Sequence, residues 1–160
     1  AYWFPLVAGR AGPGIPENQK TDTLCYLLDL FPTLCDLAEL PIPETVEGKS
    51  LMPAIEEPAS TIRPALHFAY KGIQRAVRVG KHKLIEYAVR GKRHTQLFDL
   101  EADPYETVDL VTRPEHAETV ASLRKELRRW QGELGDDQDM GKQFWRDCEE
   151  FEQPTIRRWP

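Results

Sequence analysis

Apolar positions along this chain change their period more than once, and each change marks an element. Residues 2–8 (Tyr2-Trp3-Phe4-Pro5-Leu6-Val7-Ala8) form a nearly unbroken apolar run that predicts a short strand. It leads into Gly9 to Pro16, too rich in Gly and Pro for helix or ladder. Thr23 to Leu28 is apolar again and predicts a second short strand. Asp29 then reads as a helix N-cap, and Pro32 suits a first turn because its missing N–H removes no helical bond. Leu30, Leu34, Leu37 and Ala38 recur at helical spacing, and the helix should stop before Pro41. Pro41, Pro43, Pro53 and Pro58, with Pro64 just beyond, make 41–62 a linker holding one helical turn near Leu51 to Ile55.

From Ala65 the period becomes two. Ala65 to Tyr70, Ile73 to Val79, His82 to Ala88 and Thr95 to Leu100 are strand-like, and the short Gly-bearing turns between them predict antiparallel hairpins. In the second strand Ile73, Arg75, Val77 and Val79 share one face, with Gln74, Ala76 and Arg78 on the other. Asp103-Pro104 starts a turn. Thr112 and Glu115 match a capping box, with Pro114 in the first turn. Val120, Leu123, Leu127, Trp130 and Leu134 then form a stripe that must be buried, and Gly135 is the stop. The expected fold class is α+β: a four-stranded antiparallel sheet packed against one long C-terminal helix, over 63–134, followed by an extended tail over 135–160. Phe144, Trp145, Phe151 and Trp159 suggest that this tail lies on the folded body.

Composition narrows the function classes. At 160 residues the chain can hold one globular domain with a core, or a small domain with an appended piece. A net charge of −5 argues against a dedicated nucleic-acid binder. No apolar run approaches the ~20 residues needed to span a bilayer. The opening Ala1-Tyr2-Trp3-Phe4 has no basic leader or initiator Met and falls inside an expected strand, which suggests an excised piece of a longer parent. No compartment is specified. Cys25, Cys35 and Cys148 have neither C-x-x-C nor metal-ligand spacing and are expected as reduced, mostly buried thiols.

Several short phrases stand in a set order. They are Phe4-Pro5-Leu6-Val7 with Gly12-Pro13-Gly14-Ile15, then Asp29-Leu30-Phe31-Pro32-Thr33-Leu34, then Gly48-Lys49-Ser50-Leu51. Arg75-Ala76-Val77-Arg78 follows, with Gly80 and Lys83-Leu84-Ile85, then Leu97-Phe98-Asp99-Leu100 with Asp103-Pro104 and Glu106. In this order they resemble the C-terminal part of a type I sulfatase, of the alkaline phosphatase superfamily, from about Phe4 to Trp130. The resemblance implies that residues 1–55 complete the edge of a larger α/β catalytic domain upstream. It also implies a parent that hydrolyses the sulfate ester of a small molecule or saccharide. Such an enzyme uses a formylglycine made within a C/S-x-P-S-R signature and a calcium or magnesium ion held by oxygen ligands. Neither that signature nor an Asp-Asn dipeptide flanked by His and Lys occurs here, so no catalytic or metal position carries over and no cofactor is expected in this chain. The chain alone is expected to be inactive.

The resemblance also implies that loops of this region line the mouth of the substrate pocket. His67, Tyr70, Lys71, Gln74 and Arg75, at or near the first hairpin turn, are the substrate-binding candidates, since His and Lys can donate to an anionic or hydroxylated ligand. The plain alternative is exposed hairpin polarity. Arg90, Lys92, Arg93 and His94 form a basic cluster at another expected hairpin tip, suited to a sulfated polymer or simply to solvent. Lys83 is expected on the solvent side of the third strand and Glu101 in solvent. Asp99, Asp103 and Glu106 lack the glycine and terminal bidentate Glu of a calcium loop, and the resemblance makes them a structural turn. Three rival readings stay open: a non-catalytic binding module or subunit, an unrelated α+β binding domain, and the equivalent region of a phosphonate or phosphate diester hydrolase. Under the sulfatase reading Phe4, Leu6, Val7, Leu24 and Leu27 form an apolar surface that the parent covers.

Overall fold

A computed structural model describes residues 20–89, 92–136 and 139–149, without the side chains of 139, 140 and 147–149. The expected strand over 2–8 and the Gly-Pro bend after it lie outside the described residues. The chain divides into two compact units, 1–66 and 67–160.

In the first unit a buried carboxylate organises the backbone. The expected strand at Thr23 to Leu28 is absent; the chain runs without regular structure into a 3-10 turn, Leu27–Asp29, and then helix α1, Leu30–Leu37. Asp29 precedes α1 but makes no side-chain cap to it. Its carboxylate accepts instead from the Tyr26 N–H at 2.7 Å, the Lys49 N–H at 2.8 Å, and the Arg63 guanidinium at 2.9 and 2.5 Å. Asp29 is 0% exposed. Thr33 repeats the device one turn on. Its hydroxyl donates to the Asp29 carbonyl at 2.6 Å and accepts the Leu51 N–H at 2.8 Å. Between those anchors Gly48 passes so close that a Cβ would collide with the Leu28 carbonyl oxygen. The helical turn expected near Leu51 is α2, Met52–Glu56.

The apolar stripe expected on α1 is not buried as a unit: Leu30 and Leu37 are half-buried and Leu34 and Ala38 exposed. Asp29, Pro32, Thr33 and Cys35 are buried, while Leu27, Phe31 and Leu34 are exposed. Cys25 and Cys35 are free thiols, the first half-buried and the second buried.

The sheet follows from its two-residue period. Strands β1 (Ala65–Tyr70), β2 (Gln74–Val79), β3 (His82–Val89) and β4 (Lys92–Asp99) lie in the order β1-β2-β3-β4, each of the last two antiparallel to its predecessor. Arg75 pairs with Glu86, Val77 with Leu84, and Leu84 with Leu97. That face, led by the fully buried Val77, Leu84 and Leu97, receives α3 (Ala117–Leu134) through Val120, Leu123 and Leu127. Each such side chain contributes roughly 1.5–3 kcal/mol. The opposite face carries Ala76, Ile85 and Phe98, with Tyr87 and Leu100 against them.

Some expectations are corrected here. The start of α3 is not a Thr112–Glu115 capping box. A 3-10 turn, Pro114–His116, supplies the first turn, closed by the His116 N–H on the Arg113 carbonyl at 3.0 Å, with no side-chain cap. Leu134, at the end of the stripe, is exposed, because the helix outruns the sheet. Gly135 does end α3, in the left-handed region at φ 61°, and the Asp136 N–H closes on the Gln131 carbonyl at 2.9 Å. Within the expected extended tail, Asp139–Glu149 are helical instead and form α4, whose Phe144 is 0% exposed and whose Trp145 is buried; 150–160 lie outside the described residues. Lys83 is not in solvent. It is 4% exposed, and its Nζ donates to both carboxylate oxygens of Glu106 at 2.9 Å.

Asp29→Ala should leave Arg63 as a buried, unpaired cation and cost about 3–5 kcal/mol, read by chemical denaturation. Burial raises the Asp29 carboxyl, but Arg63 and the Lys49 and Tyr26 N–H groups outweigh it and hold the pKa below 3.8. Its contribution is therefore complete above that value and is lost as pH falls through the lower, folded one. A pH-independent Asp29→Ala penalty down to strong acid would refute this.

Candidate functional site

The β1–β2 hairpin turn collects the residues that the sequence singles out, and it does so with a strained backbone. Lys71 sits at φ 48°, where a side chain crowds the backbone. The Ile73 N–H reaches the Tyr70 carbonyl at 3.4 Å, and the Ala88 N–H fixes the Ile73 carbonyl at 2.9 Å. Tyr70 is 55% exposed, and the exposed Lys71 Nζ lies 5.4 Å from its ring centroid. A cation and a phenol thus stand side by side at the tip, both able to donate to an anion or a hydroxyl.

The other candidates point inward. His67 stacks on Trp130 with centroids 5.9 Å apart. Burial lowers its pKa; Asp136 opposes that and Arg75 adds to it, so the imidazole is kept neutral at ordinary pH. Arg75 is 2% exposed. Its Nε and Nη2 hold the Asp136 carboxylate at 2.5 and 2.7 Å, and its Nη1 donates to the Lys71 and Gln74 carbonyls at 2.7 and 2.8 Å. Its guanidinium lies 4.8 Å from the Phe144 ring centroid. Arg75 therefore shapes the turn from behind, through the Lys71 and Gln74 carbonyls. Of the candidates, Tyr70 and Lys71 are presented to solvent, Gln74 is half-buried, Arg75 holds the turn's carbonyls, and His67 packs on Trp130.

The basic cluster does not act as one. Arg90 lies outside the described residues. Arg93 binds Glu86 on the helix-facing side at 3.0 and 2.9 Å, while Lys92 and His94 alternate onto other faces. Glu86, 2% exposed, was not evident from the sequence as a hub; Arg93, Arg124 and the Thr95 hydroxyl all bind it. A cavity of about 200 Å³ beside it is lined by Arg93, Arg124, Arg128 and Trp145. A carboxylate on the same strand face as Leu84 and Ala88 was the available signal.

The acidic phrase is a turn, as the resemblance implied. Asp99 caps the Glu101 and Ala102 N–H groups at 3.1 and 3.2 Å and pairs with Lys81 at 2.8 Å, which draws its pKa down to about 2. Asp103 accepts from the Thr107 and Val108 N–H groups at 2.6 and 2.8 Å. Among the described residues no group of three or more His, Cys, Asp or Glu could hold a metal ion, and no helix is long and apolar enough to cross a membrane.

This arrangement of sheet, capped acidic turn and long helix is that of a sulfatase C-terminal region. The chain belongs to the family of the N-sulphoglucosamine sulphohydrolase C-terminal domain, which matches residues 4–133. It is 38% identical over 114 residues to an arylsulfatase of Clostridium perfringens, covering 69% of this chain and 23% of that protein. The solved structure of a 2-O GAG sulfatase superposes with a TM-score of 0.62 at 31% identity, covering 79% of this chain and 29% of the other. A phosphonate monoester hydrolase of Silicibacter pomeroyi shares the fold at TM-score 0.60 and 20% identity, over 77% of this chain and 28% of that one. The chain spans about a quarter of the length of the curated relatives it matches.

Two histidines give the second unit a pH dependence. Burial lowers both His67 and His82 from 6.5; at His82 Asp99 opposes the effect, and Lys81 and His116 add to it. The unfolded chain then binds protons more readily, so stability is complete above about pH 6.5 and declines below it. The melting temperature should fall between about pH 7 and about pH 5, and His67→Gln should flatten that slope. An unchanged slope in the variant would remove His67 from the account.

Proposed function

We propose that this chain is the C-terminal region of a sulfatase whose catalytic residues lie upstream, and that its β1–β2 turn borders the substrate pocket. The carrying observation is the family match over 4–133 together with a sulfatase relative at 38% identity. The family's own description, and the 2-O GAG sulfatase likeness, favour a sulfated saccharide as the parent's substrate. The phosphonate hydrolase likeness rests on fold alone, so a sulfate ester is the bond proposed.

Sulfatases of this family use a metal ion, and the described residues offer no set that fits one. Calcium or magnesium would be held by oxygen ligands of the upstream part. Lys71 and Tyr70 are the groups at the tip suited to hydrogen-bond a sulfate or sugar hydroxyl, with His67 behind them. In the first unit Leu27, in the turn before α1, and Phe31 and Leu34 on α1 are exposed, and the upstream part is the proposed cover for them.

Two outcomes test this. The purified chain should not turn over an aryl sulfate with calcium present; metal-dependent, saturable turnover that survives repurification would refute it. In the full-length enzyme Lys71→Gly should relieve the left-handed strain and raise stability by up to about 1 kcal/mol, while KM for a sulfated saccharide rises. Equal KM in the variant and the parent enzyme would remove Lys71 from the pocket.

A further inference from the structure

The family match ends at residue 133, yet Phe144 and Trp145 of α4, beyond it, are buried in the second unit. Asp136 follows the Gly135 stop and turns its carboxylate back onto the sheet. Trp145 of α4 donates its indole N–H to the same carboxylate at 2.9 Å. Phe144, 0% exposed, lies against the Arg75 guanidinium, and the Phe144 and Trp145 rings meet edge to face at 5.0 Å. Gly141 completes the enclosure: a Cβ there would collide with the Asp136 side chain and carbonyl. Arg75 is therefore held on one side by Asp136 and covered on another by an aromatic ring. Its remaining nitrogen, Nη1, is directed at the Lys71 and Gln74 carbonyls.

We propose that the segment after the family domain is a positioning clasp. Asp136 and α4 fix Arg75, and Arg75 fixes the β1–β2 turn, so that Tyr70 and Lys71 are presented in one direction. The physical argument is one of degrees of freedom. A guanidinium with fewer restraints can satisfy its donors in many rotamers; one held bidentate by a carboxylate and packed on a ring has one orientation left. Because Nη1 grips a carbonyl on each side of the turn, that single orientation also selects one backbone geometry, including the left-handed Lys71. Arg75, Asp136 and Trp145 are positioning residues. The functional consequence rests on the reading of this turn as a pocket border; the mechanical one does not.

Backbone amide exchange and steady-state kinetics on the full-length enzyme separate the two. Asp136→Asn weakens the grip on Arg75, Gly141→Ala pushes α4 off Asp136, and Trp145→Phe removes one hydrogen bond while keeping a ring. In the first two variants amides of residues 70–74 should exchange roughly tenfold faster while those of β3 and β4 keep their rates, with Trp145→Phe intermediate. For a sulfated disaccharide KM should rise by about tenfold with kcat little changed, whereas a small aryl sulfate that does not reach the turn should be unaffected. Unchanged exchange at 70–74 in all three variants overturns the clasp. Faster exchange throughout the sheet also overturns it, since the network would then support the whole unit. Faster exchange confined to the turn with KM unmoved keeps the clasp and refutes the pocket-border reading.

Discussion

An ionised side chain withdrawn from water must recover its solvation from fixed partners, and this constraint decides most of the tertiary geometry here. Asp29 meets it with two backbone N–H groups and a bidentate guanidinium. Glu86 meets it with two arginines and a threonine hydroxyl. Arg75 meets it with Asp136 and two carbonyls. In each case one charged partner comes from a segment well separated in sequence: Arg63 lies 34 residues from Asp29, Arg124 38 from Glu86, and Asp136 61 from Arg75. Apolar contacts bring these segments near one another, but they tolerate sliding. The ion pairs do not, because an ångström of misregister would leave a buried charge unmet.

The short phrases that identify the family take on a physical sense in this light. Asp29-Leu30-Phe31-Pro32-Thr33 and Gly48-Lys49-Ser50-Leu51 are two halves of one clasp. Asp29 receives the Lys49 N–H, Thr33 receives the Leu51 N–H, and Gly48 permits the approach. The two-residue offset between Lys49 and Leu51 meets acceptors one helical turn apart, so the spacing is set by geometry. Asp99, Asp103 and Glu106 form a second such device. Two carboxylates cap the turn's N–H groups, and the third, at φ 57°, covers Lys83. Each of these carboxylates is engaged in holding the turn or its neighbours.

What could be read from the sequence follows the strength of the local period. The hairpin strands and the Val120, Leu123, Leu127 stripe were legible because alternation by two, or by three and four, allows one buried face. Gly135 was legible because few other residues accept that φ. Lys83 was misplaced because its partner, Glu106, lies 23 residues on and becomes available only once Asp103 has folded the turn back. Helix α4 was not legible because the polar sequence leading into it, Asp136-Asp137-Gln138-Asp139, resembles a solvated tail. Its aromatic anchors were visible, but their partner Arg75 looked like a surface donor. Turn residues Tyr70 and Lys71 were legible as candidates; which of their neighbours would turn inward was not.

Helix α1 shows how far a specific polar network can override hydrophobic preference. A solitary amphipathic helix would turn Leu27, Phe31 and Leu34 inward and Asp29 and Thr33 to water. The observed orientation is the reverse. Exposing three large apolar side chains gives up several kcal/mol on area arguments, so the clasp around Asp29 must outweigh that difference or a covering surface must restore it. A bidentate buried ion pair with two further N–H donors is of the right size to hold the orientation, because rotating the helix would strip Arg63 of its carboxylate as well as exposing the Asp29 carboxylate. The polar face is thereby committed to the fold, and Leu27, Phe31 and Leu34 are left at the surface.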